Sequence, residues 1–294
     1  MTLLNPRVDV AFKLLFGSEK NKDLLISFIN AVVSAEHQVV SVELLNPYNS
    51  RNFAKDKNSI LDIKARDCEG KYFNIEMQIS DEGNYDKRAL FYWSKLYADQ
   101  LQGGNAFSAL DRAIGIHVLN FTCIPGNDNY CNKWVIKEDR SHQHFFKDFA
   151  IYTIELNKFI GKEDTPIAVL LPQIRTSLDR WSLFLTRAVQ LHQGKLPKEM
   201  DDPYIRKAFG VLETASLTPR ARSRYEDHLK WLRIETSVVE KVARDSHRFG
   251  HEIGVKEGQE IGIQKGRREM VIQMMQSGLS KEQICSTTSW SADQ

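Results

Sequence analysis

The pair of segments around Asp67–Gly70 holds the residues best suited to chemistry. In Ile60-Leu-Asp-Ile-Lys-Ala-Arg66, strand alternation puts Leu61, Ile63 and Ala65 on one face and Asp62, Lys64 and Arg66 on the other. In Lys71-Tyr-Phe-Asn-Ile-Glu-Met-Gln-Ile79, the apolar face is Phe73, Ile75, Met77 and Ile79, with Tyr72, Asn74, Glu76 and Gln78 opposite. A hairpin through Cys68-Glu69-Gly70, with glycine at the left-handed position, pairs Asp67 with Lys71. It therefore sets Asp62 against Glu76 and Lys64 against Asn74. One more loop residue would oppose the polar set of one strand to the apolar set of the other. Two carboxylates with Cβ atoms ~5 Å apart repel unless a cation lies between them. A hard divalent ion such as Mg²⁺ answers that need. The bland alternative is a hairpin with one wet face, on which Asp62 and Glu76 are merely solvated.

The elements that must position this hairpin alternate before it and turn helical after it. Pro6 to Phe16 carries Val8, Ala11, Phe12, Leu15 and Phe16 at helical spacing and stops at Gly17. A second apolar helix is predicted over 22–34 and a strand over Val39–Leu45, broken by Asn46-Pro47. Strands are predicted over 59–66 and 71–79, then an aromatic-rich helix over 84–103. Ala113–Phe121 and Phe149–Leu156 are the last clear strand patterns. From Pro166 the strand signal disappears, and helices are predicted near 172–193, 202–213 and 219–249. The expected division is thus an α/β core over 1–165, a helical region over 166–249 and a glycine-periodic helical tail over 250–294 with a helix-turn-helix-like end.

Glycine recurs every fourth residue in the tail, at Gly250, Gly254, Gly258, Gly262 and Gly266. At ~1 kcal/mol each relative to alanine, such a helix needs compensation. The stripe would let another helix approach closely, which points to self-association; a marginal linker helix is the alternative. Ser280-Lys-Glu-Gln283 reads as a capping box, and Ser291-Ala-Asp-Gln294 repeats the pattern where the sequence stops.

Composition narrows the classes. The chain has 294 residues, 42% of them hydrophobic, which is enough for a sizeable core without disulfide or zinc staples. No apolar run reaches the ~20 residues of a membrane span, and the N-terminus lacks the pattern of a signal peptide. Cys68, Cys123, Cys131 and Cys285 are scattered; seven residues separate Cys123 from Cys131, against the two to four usual in zinc sites, so His142 and His144 complete no motif. Incidental thiols in a reducing cytoplasm are the expectation. The formal charge is +2, but residues 173–248 carry 15 basic and 10 acidic side chains against 20 and 22 over 1–172. A basic helical region suits nucleic acid, and equally a solvated helix face. No Gly-x-Ser-x-Gly elbow, P-loop or dinucleotide fingerprint is present.

Asp62 followed by Glu76-Met77-Gln78 on adjacent strands behind an N-terminal helix resembles the PD-(D/E)XK nuclease superfamily, with glutamine in the place of the motif's lysine. More closely, the chain resembles the recombination-promoting nuclease and transposase family within it. The segments that carry the likeness are Asp9-Val-Ala-Phe-Lys-Leu-Leu-Phe-Gly17, Leu61-Asp62-Ile63, Phe73-Asn-Ile-Glu-Met-Gln78, Arg88 through Tyr92-Trp-Ser-Lys-Leu-Tyr97 to Gln100-Leu101, and the glycine-periodic tail. The resemblance implies an α/β fold, a restriction-endonuclease-like core with a mixed sheet flanked by helices, followed by an all-helical region. It implies Mg²⁺- or Mn²⁺-dependent cleavage of DNA in recombination or mobile elements. Asp62, Glu76 and the Met77 carbonyl would be metal ligands, Asp9 would complete the acidic cluster, and Gln78 would stand where the lysine orients water. Lys64, on the same face, is a candidate for the missing charge. The competing reading keeps the fold as a non-catalytic DNA-binding or oligomeric scaffold.

Overall fold

The computed structural model describes residues 3–33, 38–45, 62–78, 83–101, 103–160, 165–192, 196–214, 217 and 219–288. Helices α1 (Asp9–Phe16) and α2 (Lys22–Val32) come first, followed by β1 (Val42–Leu44), β2 (Asp62–Asp67) and β3 (Tyr72–Gln78). Helix α3 (Tyr85–Ala98) leads to β4 (Ala113–Leu119), β5 (Cys131–Trp134) and β6 (Phe149–Glu155). The remainder is helical: α4 (Leu156–Ile160), α5 (Ile167–Leu170), α6 (Ser177–His192), α7 (Pro203–Thr214), α8 (Pro219–Gln276) and α9 (Lys281–Thr288).

The six strands form one mixed sheet in the order β1-β2-β3-β4-β6-β5. β1, β2 and β3 are antiparallel neighbours, β3, β4 and β6 run parallel, and β5 returns antiparallel on the edge. The hairpin register is the one its spacing dictates: Asp62 pairs with Glu76 and Lys64 with Asn74. Gly70 takes φ +93°, and the Asp67 N–H donates to the Lys71 carbonyl at 3.0 Å. Asp67 Oδ1 accepts the Glu69 and Lys71 N–H groups, closing the turn. A Cβ at Gly70 would also lie 2.5 Å from Asp111 Oδ2, which would have to shift. The predicted strand residues 59–61 and Ile79 lie outside the described residues.

Residues Met1–Lys230 form one compact unit and Trp231–Gln294 a second. In the first, α1 and α2 pack against α6 and α7 through an aromatic cluster. Trp181 meets Phe16 (ring centroids 5.3 Å), Phe28 (5.9 Å) and Phe184 (5.7 Å), and its indole N–H donates to Ser27 Oγ at 3.2 Å. Tyr225, early in α8, accepts the Asn5 N–H at 2.8 Å.

Three details differ from the sequence expectation. The segment Cys131-Asn-Lys-Trp134 forms a strand that carries no alternating pattern, being short, on an edge and only partly buried. The helix expected over 219–249 and the helical tail expected after it are one continuous helix to Gln276. The strand expected over Val39–Leu45 contracts to Val42–Leu44. The capping box at Ser280 forms as read, with the Ser280 N–H donating to Gln283 Oε1 at 2.9 Å and the Gln283 N–H to Ser280 Oγ at 3.3 Å. Ser291–Gln294 lies outside the described residues. No helix among the described residues is long and apolar enough to cross a membrane.

Candidate active site

Strand pairing gathers polar residues into one row across an otherwise apolar sheet. Asp62 pairs with Glu76, Glu76 with His117, His117 with Thr153 and Thr153 with Asn132. Residues paired across a sheet occupy one face, so all five share it. Lys64 and Gln78 belong to the same face, Lys64 opposite Asn74 and Gln78 opposite Leu119. The Met77 side chain is buried on the reverse face, which leaves only its backbone carbonyl for any ligand role.

The β3 part of this face is dry. Glu76 is 0% exposed, Asn74 2% and Gln78 5%; Glu76 is not solvated as a wet hairpin face would have it, because helix α3 lies over this side of the sheet. Trp93 donates its indole N–H to the Ala113 carbonyl at 2.8 Å, and Ala89 packs with Phe149 and Ile151. Under that cover the Glu76 carboxylate accepts one carboxamide on each oxygen. Asn74 Nδ2 donates to Oε1 at 2.6 Å and Gln78 Nε2 donates to Oε2 at 2.9 Å. Burial pushes the Glu76 pKa above the usual carboxylate range; the amides of Gln78 and Asn74, then Arg88 and Lys64, pull against it. Glutamine at 78 therefore acts first on its neighbouring carboxylate.

Asp9 is the first residue of α1. Arg7, two residues earlier, donates from Nη1 to Asn120 Oδ1 at 3.0 Å, and the Asn120 N–H donates to the Gln78 carbonyl at 2.9 Å. These bonds hold the chain entering α1 at the Gln78 end of β3. The side chains of Asp9 and Asp62 lie outside the described residues.

The sequence reading missed a buried pair. His117, 1% exposed, is hydrogen-bonded through Nδ1 to the Tyr85 hydroxyl at 2.9 Å, with the tyrosine ring edge-on to the imidazole at 5.8 Å between centroids. Burial, with Arg88 adding to it, lowers the His117 pKa to about 4, and burial raises that of Tyr85, so both groups are neutral near pH 7. The available signal was a histidine inside the apolar run Ala113-Ile-Gly-Ile-His-Val-Leu119, two residues after a glycine on the same face. A Cβ at Gly115 would sit 3.0 Å from His117 Nε2 and 3.4 Å from Ile151 Cγ1. Gly115→Ala is expected to cost about 1–2 kcal/mol in urea unfolding, since the imidazole is pinned by Tyr85 and cannot swing away. In a His117→Ala background the same change should be nearly neutral; an equal loss in both backgrounds would mean the ring is not what the glycine accommodates.

The residue types would suit a hard divalent ion, since carboxylates at 62 and 76 and a backbone carbonyl offer oxygen. Asn74 Oδ1, one residue pair away, is buried without a hydrogen-bond partner. Among the described residues no group of three or more His, Cys, Asp or Glu is gathered as a metal site.

A mixed sheet flanked by helices, an Asp–Glu pair in register on adjacent strands and a helical C-terminal region define a PD-(D/E)XK nuclease-like α/β protein. The family model described as PD-(D/E)XK nuclease family transposase matches residues 6–242, and the chain belongs to that family. No curated protein and no solved structure matches the chain.

Proposed function

We propose that the protein is a metal-dependent DNA endonuclease that acts in recombination or on mobile elements. The observation that carries this reading is the register of Asp62 with Glu76, in a row whose central carboxylate is buried and oriented by two carboxamides. In it Asp62, Glu76 and the Met77 carbonyl hold Mg²⁺ or Mn²⁺, and Asp9 joins the cluster from α1. The ion, when bound, polarises the phosphoryl oxygen and makes water acidic enough to attack. Glu76 needs no rotamer search to serve as a ligand, because Asn74 and Gln78 already fix both its oxygens. Gln78 keeps its carbonyl oxygen as an acceptor for water while its amide serves Glu76.

One observation favours the competing scaffold reading. Both Glu76 oxygens are occupied by internal donors, and burial favours its uncharged form. Incubation of supercoiled plasmid with Mg²⁺ or Mn²⁺ separates the two. Nicking or linearisation that Asp62→Ala abolishes supports the nuclease; DNA retention without cleavage, in either metal, supports the scaffold.

The tail adds self-association to the proposal. Ile253, Val255, Ile261 and Ile263 are 54%, 45%, 54% and 57% exposed, beside glycines whose Cβ positions face open space. A second copy of the helix would cover them, and a two-fold pair would bring two sites to the two strands of a duplex. Light scattering is expected to give a dimer for the whole chain and a monomer for a version ending at Arg248. Equal oligomeric states would make the tail a tether.

A further inference from the structure

The geometry points to Arg88 of α3 as the cation of the site, the group that meets the scissile phosphate where the superfamily's motif uses the lysine that this chain replaces with Gln78. The assignment rests on the nuclease reading above and adds to it a residue from a different element.

Glutamine cannot carry charge, and a phosphodiester in transit gains negative charge that hydrogen bonds to neutral amides offset only in part. Lys64 and Arg88 are the two basic residues weighed for the role, one from β2 and one from α3. Lys64 sits on β2 opposite Asn74, one pair removed from Glu76. Arg88 comes from above. Its helix is pinned to the row at Tyr85, whose hydroxyl bonds His117, and His117 is the register partner of Glu76 on β4. Arg88 follows Tyr85 by three residues, so the two lie on one helix face, and Ala89 and Trp93 seat the same stretch on β4 and β6. The helix therefore carries residue 88 over the face of the sheet that holds Glu76.

The electrostatics agree on position. Arg88 is close enough for its charge to be felt at His117, the register partner of Glu76, and at Tyr85, which bonds it. A guanidinium is also the better group here, since its planar fork matches two phosphate oxygens and it stays charged in a site that burial makes hostile to charge.

A charge at this place has a signature that a packing residue lacks. Removing a cation beside a metal site lowers the rate and strengthens metal binding together, whereas a structural loss weakens both. Arg88→Gln is expected to reduce kcat on supercoiled plasmid about 100-fold, with the KM for DNA changed far less. Its Mn²⁺ affinity, followed by electron paramagnetic resonance without DNA, should rise at least about threefold. Lys64→Gln should lose clearly less activity than Arg88→Gln, at least about tenfold less. Adding Gln78→Lys to Arg88→Gln should restore at least about tenfold of the lost rate, because the charge returns from β3. Arg88→Lys, which keeps charge without the fork, gives the same reading if Arg88→Gln melts early: it should retain more activity than Arg88→Gln and leave Mn²⁺ affinity unchanged. The assignment is overturned if Arg88→Gln leaves kcat intact, if Lys64→Gln carries the larger loss, if the added lysine rescues nothing, or if Mn²⁺ affinity stays level or falls. An unaltered protein that cuts no DNA sinks the nuclease reading instead, and the Mn²⁺ measurement still decides where Arg88 sits.

Discussion

In a plasmid assay with Mg²⁺ or Mn²⁺, Asp62→Ala is expected to cut about 10³-fold more slowly than the unaltered chain, a barrier increase of about 4 kcal/mol. The residue sits at the end of β2, where the paired register of the described hairpin stops. Removing its carboxylate takes away half of the anionic pair that a divalent ion needs. Glu76→Ala should lose as much activity for the same reason, but its effect on the fold differs. Its carboxylate is fully buried and accepts from Asn74 Nδ2 and Gln78 Nε2. Alanine leaves those two donors unpaired, each worth about 1–3 kcal/mol, while it also relieves the burial of a charge. Glu76→Gln separates the contributions: it keeps the volume and one acceptor, so stability should recover relative to alanine while cleavage stays absent. Cleavage within about twofold of the unaltered chain in both Asp62→Ala and Glu76→Ala would place the activity elsewhere.

The register behind this expectation was readable in the sequence because it depends on local rules alone. Period-two alternation assigns the faces, and a glycine at a left-handed turn position sets the loop length. Gly70 at φ +93° and the pairing of Asp62 with Glu76 follow directly. Burial of the polar face was not readable in the same way. It depends on α3, whose pattern announces a helix but not which side of the sheet it covers. His117 and Tyr85 were illegible for a related reason: they are 32 residues apart and become partners only when α3 lands on β4. Strand β5 lacks alternation because an edge strand needs a partner on one side only. The glycine-periodic tail was expected to be helical, and α8 runs through it to Gln276. Helix propensity is a weak prior, and the Lys, Glu and Gln between the glycines are good helix formers.

The same dependence on distant contacts makes Trp181→Ala the most damaging core substitution expected in the first unit. Its side chain is 1% exposed, packs on Phe16 of α1, Phe28 of α2 and Phe184 of α6, and ties α2 through Ser27. Emptying a site lined by three aromatic rings is expected to cost about 3–5 kcal/mol, lowering Tm by about 10 °C. The loss should reach the candidate site as well. Helix α1 begins with Asp9, and Arg7, through Asn120, ties its entry to the end of β3. With Phe16 unsupported, the far end of α1 loses its seat. Trp181 lies beyond residue 165, so a chain stopped there would expose Phe16 and Phe28; the helical region is expected to act as part of the core's own packing, and a 1–165 fragment to fail to fold. Urea unfolding of Trp181→Phe and Trp181→Ala orders the contributions, since phenylalanine retains most of the apolar volume and loses the bond to Ser27. Near-equal stability of all three proteins, or a cooperative unfolding transition from the 1–165 fragment, would show that the sheet and its first two helices stand without the helices that follow.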